Sequence, residues 1–216
     1  MSTAIVTRSP RNIPAIPPTK VIAHRAEADA LPEYLQRDEI HRMAEIAERE
    51  RDRLLILALW NTGGRVSEVL ALRRCDLDPG ANTVRLVNLK QHQPESKVVY
   101  LSVRFCLDLL TFCEANGIRG TDYVFCSKNT RRPLSRQSAW RIVHELAERA
   151  GVAKPNRLSA SPHQARHGAA IQMLRDGVPL KIVSTQLGHS SVLVTAGFYN
   201  EFTAADRREF INRVNF

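Results

Sequence analysis

Between Ser161 and Tyr199 the chain sets His163, Arg166, His189 and Tyr199 in one stretch, which opens SPHQARHGAA and closes QLGHSSVLVTAGFY. A phenol becomes a nucleophile when a base takes its proton and the charge it builds up is stabilised elsewhere. Two imidazoles can move protons, and a guanidinium fork can hold an oxyanion through parallel hydrogen bonds. That set suits attack on a phosphodiester, in which negative charge grows on the non-bridging oxygens. A second candidate lies upstream: Arg65 follows Gly63-Gly64 in NTGGRVSEVLALRRCDLD, with Glu68 three residues on. An Arg held at a glycine turn and oriented by a carboxylate suits a phosphate clamp. Spacing alone fits equally well an Arg–Glu pair on a solvated helix face, worth little. Neither Arg65 nor Arg166 reads as core.

Positioning these groups requires helices. Spacing puts His163 and Arg166 on one helical face, and Gly188 reads as a helix end with His189 on the turn beyond it. A helix from Glu39 gathers Ile40, Met43, Ala44 and Ala47, and Arg51 to Trp60 is apolar almost all round, which makes it central to the core. PGAN is a turn signal before the strand-like TVRLV; KVVYLS is a second strand, and the connection LKQHQPES carries Lys90 and His92 on a hairpin tip. Tyr123 to Ser127 reads as a third strand. Helices are expected over Phe105 to Glu114, over Arg136 to Ala150 with Trp140, Val143 and Ala147 inward, over His163 to Arg175, over Leu180 to Leu187, and from about Ala204. The fold class is mainly α with a small three-stranded antiparallel sheet. Residues 1 to 34, spaced by Pro10, Pro14, Pro17, Pro18 and Pro32, read as an extended arm whose basic residues are either phosphate contacts or solvated. Residues 35–216 read as one domain.

With 31 Lys and Arg against 22 Asp and Glu, the formal charge of +9 favours a polyanionic partner, nucleic acid before others. Ser127 to Arg141 carries Lys128, Arg131, Arg132, Arg136 and Arg141 with no acid, Arg157 follows, and Asp176 is the only acidic residue between Glu148 and Glu201. Arg131, Arg132, Arg136 and Arg157 are therefore expected to track a phosphate backbone. Four Cys with no CxxC pairing read as buried thiols of a reduced, cytoplasmic protein. No apolar run is long enough for a membrane span. His163 and His167 have the spacing of an HExxH metal site, but Gln164 replaces the Glu and Arg166 sets a fixed charge beside the cation, so no metal is expected.

TGGRVSEVLALRRCDLD, the hairpin Lys, SPHQARHG, LGHSS and a following Tyr occur in this order and at fitting separations. Together they resemble the catalytic domain of the tyrosine recombinases, which include phage integrases, Xer-type resolvases and phase-variation invertases, over roughly residues 35–216. The resemblance implies that Arg65 and Arg166 clamp a scissile phosphate in double-stranded DNA and that Tyr199 attacks it. It implies that Lys90 protonates the leaving 5′ oxygen, and that His163 and His189 assist proton transfer and phosphate binding. No cofactor is implied, because a phosphotyrosine ester conserves the bond. A homo-oligomer, a tetramer on paired sites, is implied as well, with residues 204–216 as the candidate for exchange between subunits. Two features depart from the family. Its N-terminal helical domain has no counterpart in residues 1 to 34, as in the short fimbrial invertases. Its Tyr follows the LGH histidine by nine residues, which is Phe198 here; Tyr199 is tenth. One residue on a helix is about 100° of rotation, and Gly197 is where the chain could absorb it. Two other readings stand beside the recombinase: a DNA-binding protein of this fold that does not cleave, and a type IB topoisomerase, which shares the Arg, Lys, His and Tyr chemistry.

Overall fold

The computed structural model describes residues 33–88, 95–152, 160–189 and 191–213. Lys90, Arg157 and nearly all of the expected N-terminal arm lie outside the described residues.

Helix α1 (Arg37–Glu45) turns Ile40, Met43 and Ala44 inward, while Ala47 falls beyond its end. Helix α2 (Glu50–Thr62) buries Leu54, Leu55, Ile56, Ala58 and Leu59, so an apolar circumference has become the centre of the main core. It stops at Gly63, whose φ of +55° is the left-handed conformation that glycine adopts without Cβ strain. Helix α3 (Val66–Leu70) starts three residues later, with the Glu68 carboxylate accepting the backbone N–H of Arg65.

The sheet is antiparallel, ordered β1 (Leu77–Asp78), β2 (Thr83–Asn88), β3 (Glu95–Tyr100). Val84 faces Val99, and Leu86 faces Lys97. The period of two puts Val84, Leu86 and Val99 inward, with Val98 and Tyr100 exposed. Lys97 has the parity of Val99 and therefore sits at a core-facing position. The third strand is β1, not Tyr123 to Ser127. In that segment Tyr123 bridges to Arg73 and Cys126 to Pro133, so its two ends pair with different partners and no ladder forms.

Helix α4 (Val103–Ala115) is capped by Ser102 and α5 (Arg136–Arg149) by Ser135. The α5 stripe is Ala139, Ile142, Val143, Leu146 and Ala147. Trp140 lies one residue off that stripe and is 43% exposed, stacked on His144 at 4.9 Å, contrary to the inward placement expected. Of the four thiols, Cys106, Cys113 and Cys126 are buried and Cys75 is exposed; none is in a disulfide. Helix α6 (Pro162–Arg175) opens with Ser161 and Gln164 in a reciprocal capping box and Pro162 in the first turn. Its Ala165 joins the main core, while Ala170, Ile171 and Leu174 join a second cluster with Tyr34, Val183, Leu187 and Phe202. The seam between the two clusters is where the polar residues of interest converge. Helices α7 (Leu180–Leu187), α8 (Val192–Ala196) and α9 (Ala204–Arg213) complete the described chain. No described helix is long and apolar enough to cross a membrane.

Candidate active site

Arg166 projects from the buried face of α6 and is only 7% exposed, so it is not the surface residue the spacing suggests. Its Nη1 donates to the Gly63 carbonyl at 2.6 Å, a group left free because α2 ends there. Gly63 is needed for a second reason: a Cβ on it would stand 2.6 Å from Leu187 Cδ2. Burial and the nearby Arg65 charge bring the Arg166 pKa down to about 10, which keeps it protonated at neutral pH.

Arg65 donates from Nη1 to Glu68 Oε1 at 2.7 Å, while Glu68 Oε2 accepts the Arg65 backbone N–H at 3.1 Å. Glu68 is 2% exposed, so this is no solvated surface pair. Burial alone would raise the Glu68 pKa, but the Lys97 charge and the Arg65 hydrogen bonds outweigh it and hold it below the usual carboxylate range.

Lys97, which from the sequence ranks behind Lys90 as the acid because it opens a strand, belongs to this cluster. Its Nζ lies 2.6 Å from the Leu187 carbonyl, 3.3 Å from that of Gln186 and 3.4 Å from Glu68 Oε2. Burial pushes its pKa down to about 8; Glu68 opposes this, and Arg166 and Arg65 add to it. A lysine at a core-facing strand position was the available signal.

His189 follows Gly188, which ends α7 with φ +69°. Its Nδ1 is 2.8 Å from the hydroxyl of Thr195, a fully buried residue. Burial first, then Arg166, Arg65 and Lys97, lower its pKa to about 4, so the ring is neutral at pH 7. Three cations from three separate segments thus act on one imidazole. His163 is exposed on the first turn of α6. His167, missed as a site residue, is half-buried with its pKa lowered by burial, and its ring lies 5.5 Å from Tyr34 and 4.8 Å from Phe198.

The nucleophile candidate is placed differently. Phe198 turns its ring toward His167 and also toward His189, at 6.0 Å. Tyr199 is 45% exposed, with its ring edge on Phe202 at 5.0 Å. Gly197 has φ −57° and ψ −25°, an ordinary right-handed conformation, and absorbs no shift; the chain continues into a 3₁₀ turn, Gly197–Glu201. Arg131, Arg132 and Arg136 are exposed, Arg131 donating to the Asn116 carbonyl at 3.1 Å. Among the described residues no three His, Cys, Asp or Glu side chains cluster as a metal site needs.

The profile of the phage integrase family matches residues 33–205. The chain belongs to this family. Its fold is that of the tyrosine recombinase catalytic domain, and the crystal structure of XerA recombinase superimposes with a TM-score of 0.72 at 26% identity, over 87% of this chain and 68% of that one. XerH recombinase bound to its difH substrate gives a TM-score of 0.65 at 22% identity, over 80% of this chain and 51% of XerH. By sequence, the chain is 36% identical over 172 residues to a probable integrase/recombinase of Methanocaldococcus jannaschii, covering 77% of this chain and 50% of that protein. It is 31% identical over 194 residues to tyrosine recombinase XerA of Pyrococcus furiosus, covering 86% and 63%. This integrase-family chain thus spans less than two thirds of the length of either curated relative.

Proposed function

We propose that the chain is a site-specific DNA recombinase that breaks and rejoins strands through a covalent 3′-phosphotyrosine. The observation that carries this reading is the convergence of Arg65, Lys97 and Arg166 on His189, with Glu68, among the described residues, the one carboxylate acting on them. One carboxylate does not balance three cations, and the surplus is available to an anion. The relatives named recombinases, and the XerH complex with its DNA substrate, support the same reading.

In this scheme Arg65 and Arg166 stabilise the charge that develops on the non-bridging oxygens, each donor worth on the order of 3 kcal/mol. Because Thr195 occupies Nδ1 of His189, Nε2 is the ring nitrogen left to face the phosphate. Tyr199 Oη forms a bond to phosphorus as the P–O5′ bond breaks, and its proton passes to a base, with His163 assisting. Lys90 gives a proton to the departing 5′ oxygen. The reverse sequence with a new 5′ hydroxyl reseals the strand without ATP. Arg131, Arg132, Arg136 and Arg157 track the flanking backbone. Residues 35–216 form the catalytic domain and 1–34 the arm, and the enzyme works in the cytoplasm as a tetramer on paired sites, with residues 204–216 passing between subunits.

A second reading, a DNA-binding protein that does not cleave, is favoured by one observation: Phe198, not Tyr199, faces the imidazoles. Nicked DNA from the native locus separates the two. Cleavage next to the nick releases a short strand, traps the enzyme and leaves an adduct stable to detergent, whose peptide map should land on Tyr199. Salt-sensitive binding with no adduct from the wild-type chain would establish the second reading instead.

A further inference from the structure

We propose that Lys97 is a positioning residue for the cleavage site, a clip that holds the His189 turn at a fixed distance from the Arg65–Glu68 pair. The inference rests on the recombinase reading for its effect on cleavage, and on geometry alone for the clip itself.

An ammonium has three N–H donors and no acceptor. Lys97 Nζ has three acceptors around it: the carbonyls of Leu187 and Gln186 and Glu68 Oε2. The two carbonyls close the C-terminal end of α7, where a helix presents unpaired oxygens and partial negative charge, so a cation there is favourable. His189 follows two residues after Leu187, and Glu68 holds Arg65 by two hydrogen bonds. Lys97 therefore joins a helix end, a strand and the Arg65 support into one unit. Gly188 shows how closely the parts fit: a Cβ on it would lie 2.8 Å from Lys97 Cδ and 3.3 Å from Nζ. The lysine stem lies across the bare Cα of the turn, which gives this glycine a packing role besides its left-handed φ. With its donors directed to three protein oxygens, Lys97 is not free to protonate a leaving group. That separates its role from the one proposed for Lys90.

The test uses single-turnover cleavage of nicked native DNA, with an ordinary or a 5′-thio leaving group, which departs without protonation. It is combined with NMR titration of His189 and thermal melting. Lys97→Met keeps the stem and removes the donors. It should cut cleavage about 10²-fold, the scale of an ångström misplacement, equally on both substrates, while DNA binding changes little. Lys90→Ala should recover on the 5′-thio substrate. In Lys97→Met the His189 pKa should rise from about 4, because one of the cations holding it down is gone and the turn is released. Lys97→Arg keeps charge and donors and should recover cleavage at least about tenfold over Lys97→Met, with His189 titrating as in wild type. It also serves as the probe should Lys97→Met not fold. Recovery of Lys97→Met on the 5′-thio substrate would make Lys97 the acid and overturn the proposal, as would wild-type cleavage or an unmoved His189. If the wild-type chain itself forms no adduct, the recombinase reading fails, and the His189 titration still decides whether the clip exists.

Discussion

The two halves of the candidate site are built in opposite ways. The cationic half is wired into the fold: Arg166 on a main-chain carbonyl, Arg65 on a buried carboxylate, Lys97 on three oxygens, His189 on a buried hydroxyl. The half that carries Tyr199 is laid on the surface, with Leu193 81% exposed and Val194, Tyr199 and Ile211 also exposed. Among the described residues it is attached through Thr195, Phe198, Phe202 and Phe210, an ion pair between Arg175 and Asp206 at 2.9 Å, and a hydrogen bond from Arg213 to the Arg175 carbonyl at 3.2 Å. Charge stabilisation works by not having to reorganise, so its donors must be fixed by burial. A nucleophile needs only to reach its target, and a lightly anchored segment can turn or pass to a neighbouring subunit to deliver it.

The largest effect expected is at Tyr199. Tyr199→Phe should abolish the covalent adduct while moving unfolding free energy by no more than about 0.5 kcal/mol, as for other exposed positions. Denaturant melts and an adduct gel check both parts. A large loss of stability would show that the segment is anchored after all, and the contrast between the halves would fall.

Next come the arginines, where chemistry and folding should part company. Arg65→Ala should lower cleavage roughly 10²- to 10³-fold. Arg166→Ala should do the same and also destabilise the fold by about 1–3 kcal/mol, because it leaves the buried Gly63 carbonyl unpaired. From the sequence both residues read as removable without a folding cost. The burial of Arg166 changes that for one of them.

The sequence carried the helices, the two long strands and the glycine that ends α7, because these follow from hydrophobic period and turn chemistry. It misplaced the third strand because YVFCS has strand composition but no single partner to pair with. It placed Trp140 inward because one residue of helical phase decides the face. It ranked Lys97 behind Lys90 because the surroundings of a charged strand residue are set by β2, α3 and α7 together, which no local window contains. The backbone settings of Arg65 and His189 were legible because each follows a glycine that ends a helix or opens a turn; Arg166 was legible as a helical residue but not as a buried one, because it lies in mid-helix, away from the Ser161 cap.

The inward and outward positions of the 3₁₀ turn offer a smaller and sharper test. The double variant Phe198→Tyr with Tyr199→Phe moves the phenol to the position between His167 and His189, at 4.8 and 6.0 Å between rings. It should form an adduct that maps to position 198, at a rate at least equal to wild type. If Tyr199 is active in the wild-type chain and the swap is dead, the surface segment is aimed by contacts made only on DNA.

The smallest effect expected is on stability, through His189. Its folded pKa of about 4 lies below the ordinary value near 6.5. Between those values the unfolded chain binds a proton that the folded chain does not, so stability rises with pH across this window and is lost as pH falls from 6.5 to 4. His167, also lowered, contributes with the same sign. The lowered carboxylates Glu68 and Asp206 lose their contribution at more acidic pH, which leaves the range above about 4.5 mainly to the imidazoles. His189 is only part-buried, so solvent screens the effect. Urea midpoints at pH 4.5 and 7 should therefore differ more in wild type than in His189→Gln, with part of the slope remaining through His167. Equal slopes would mean that the cations do not act on His189 as their positions require, and that the cationic half is less preorganised than its hydrogen bonds imply.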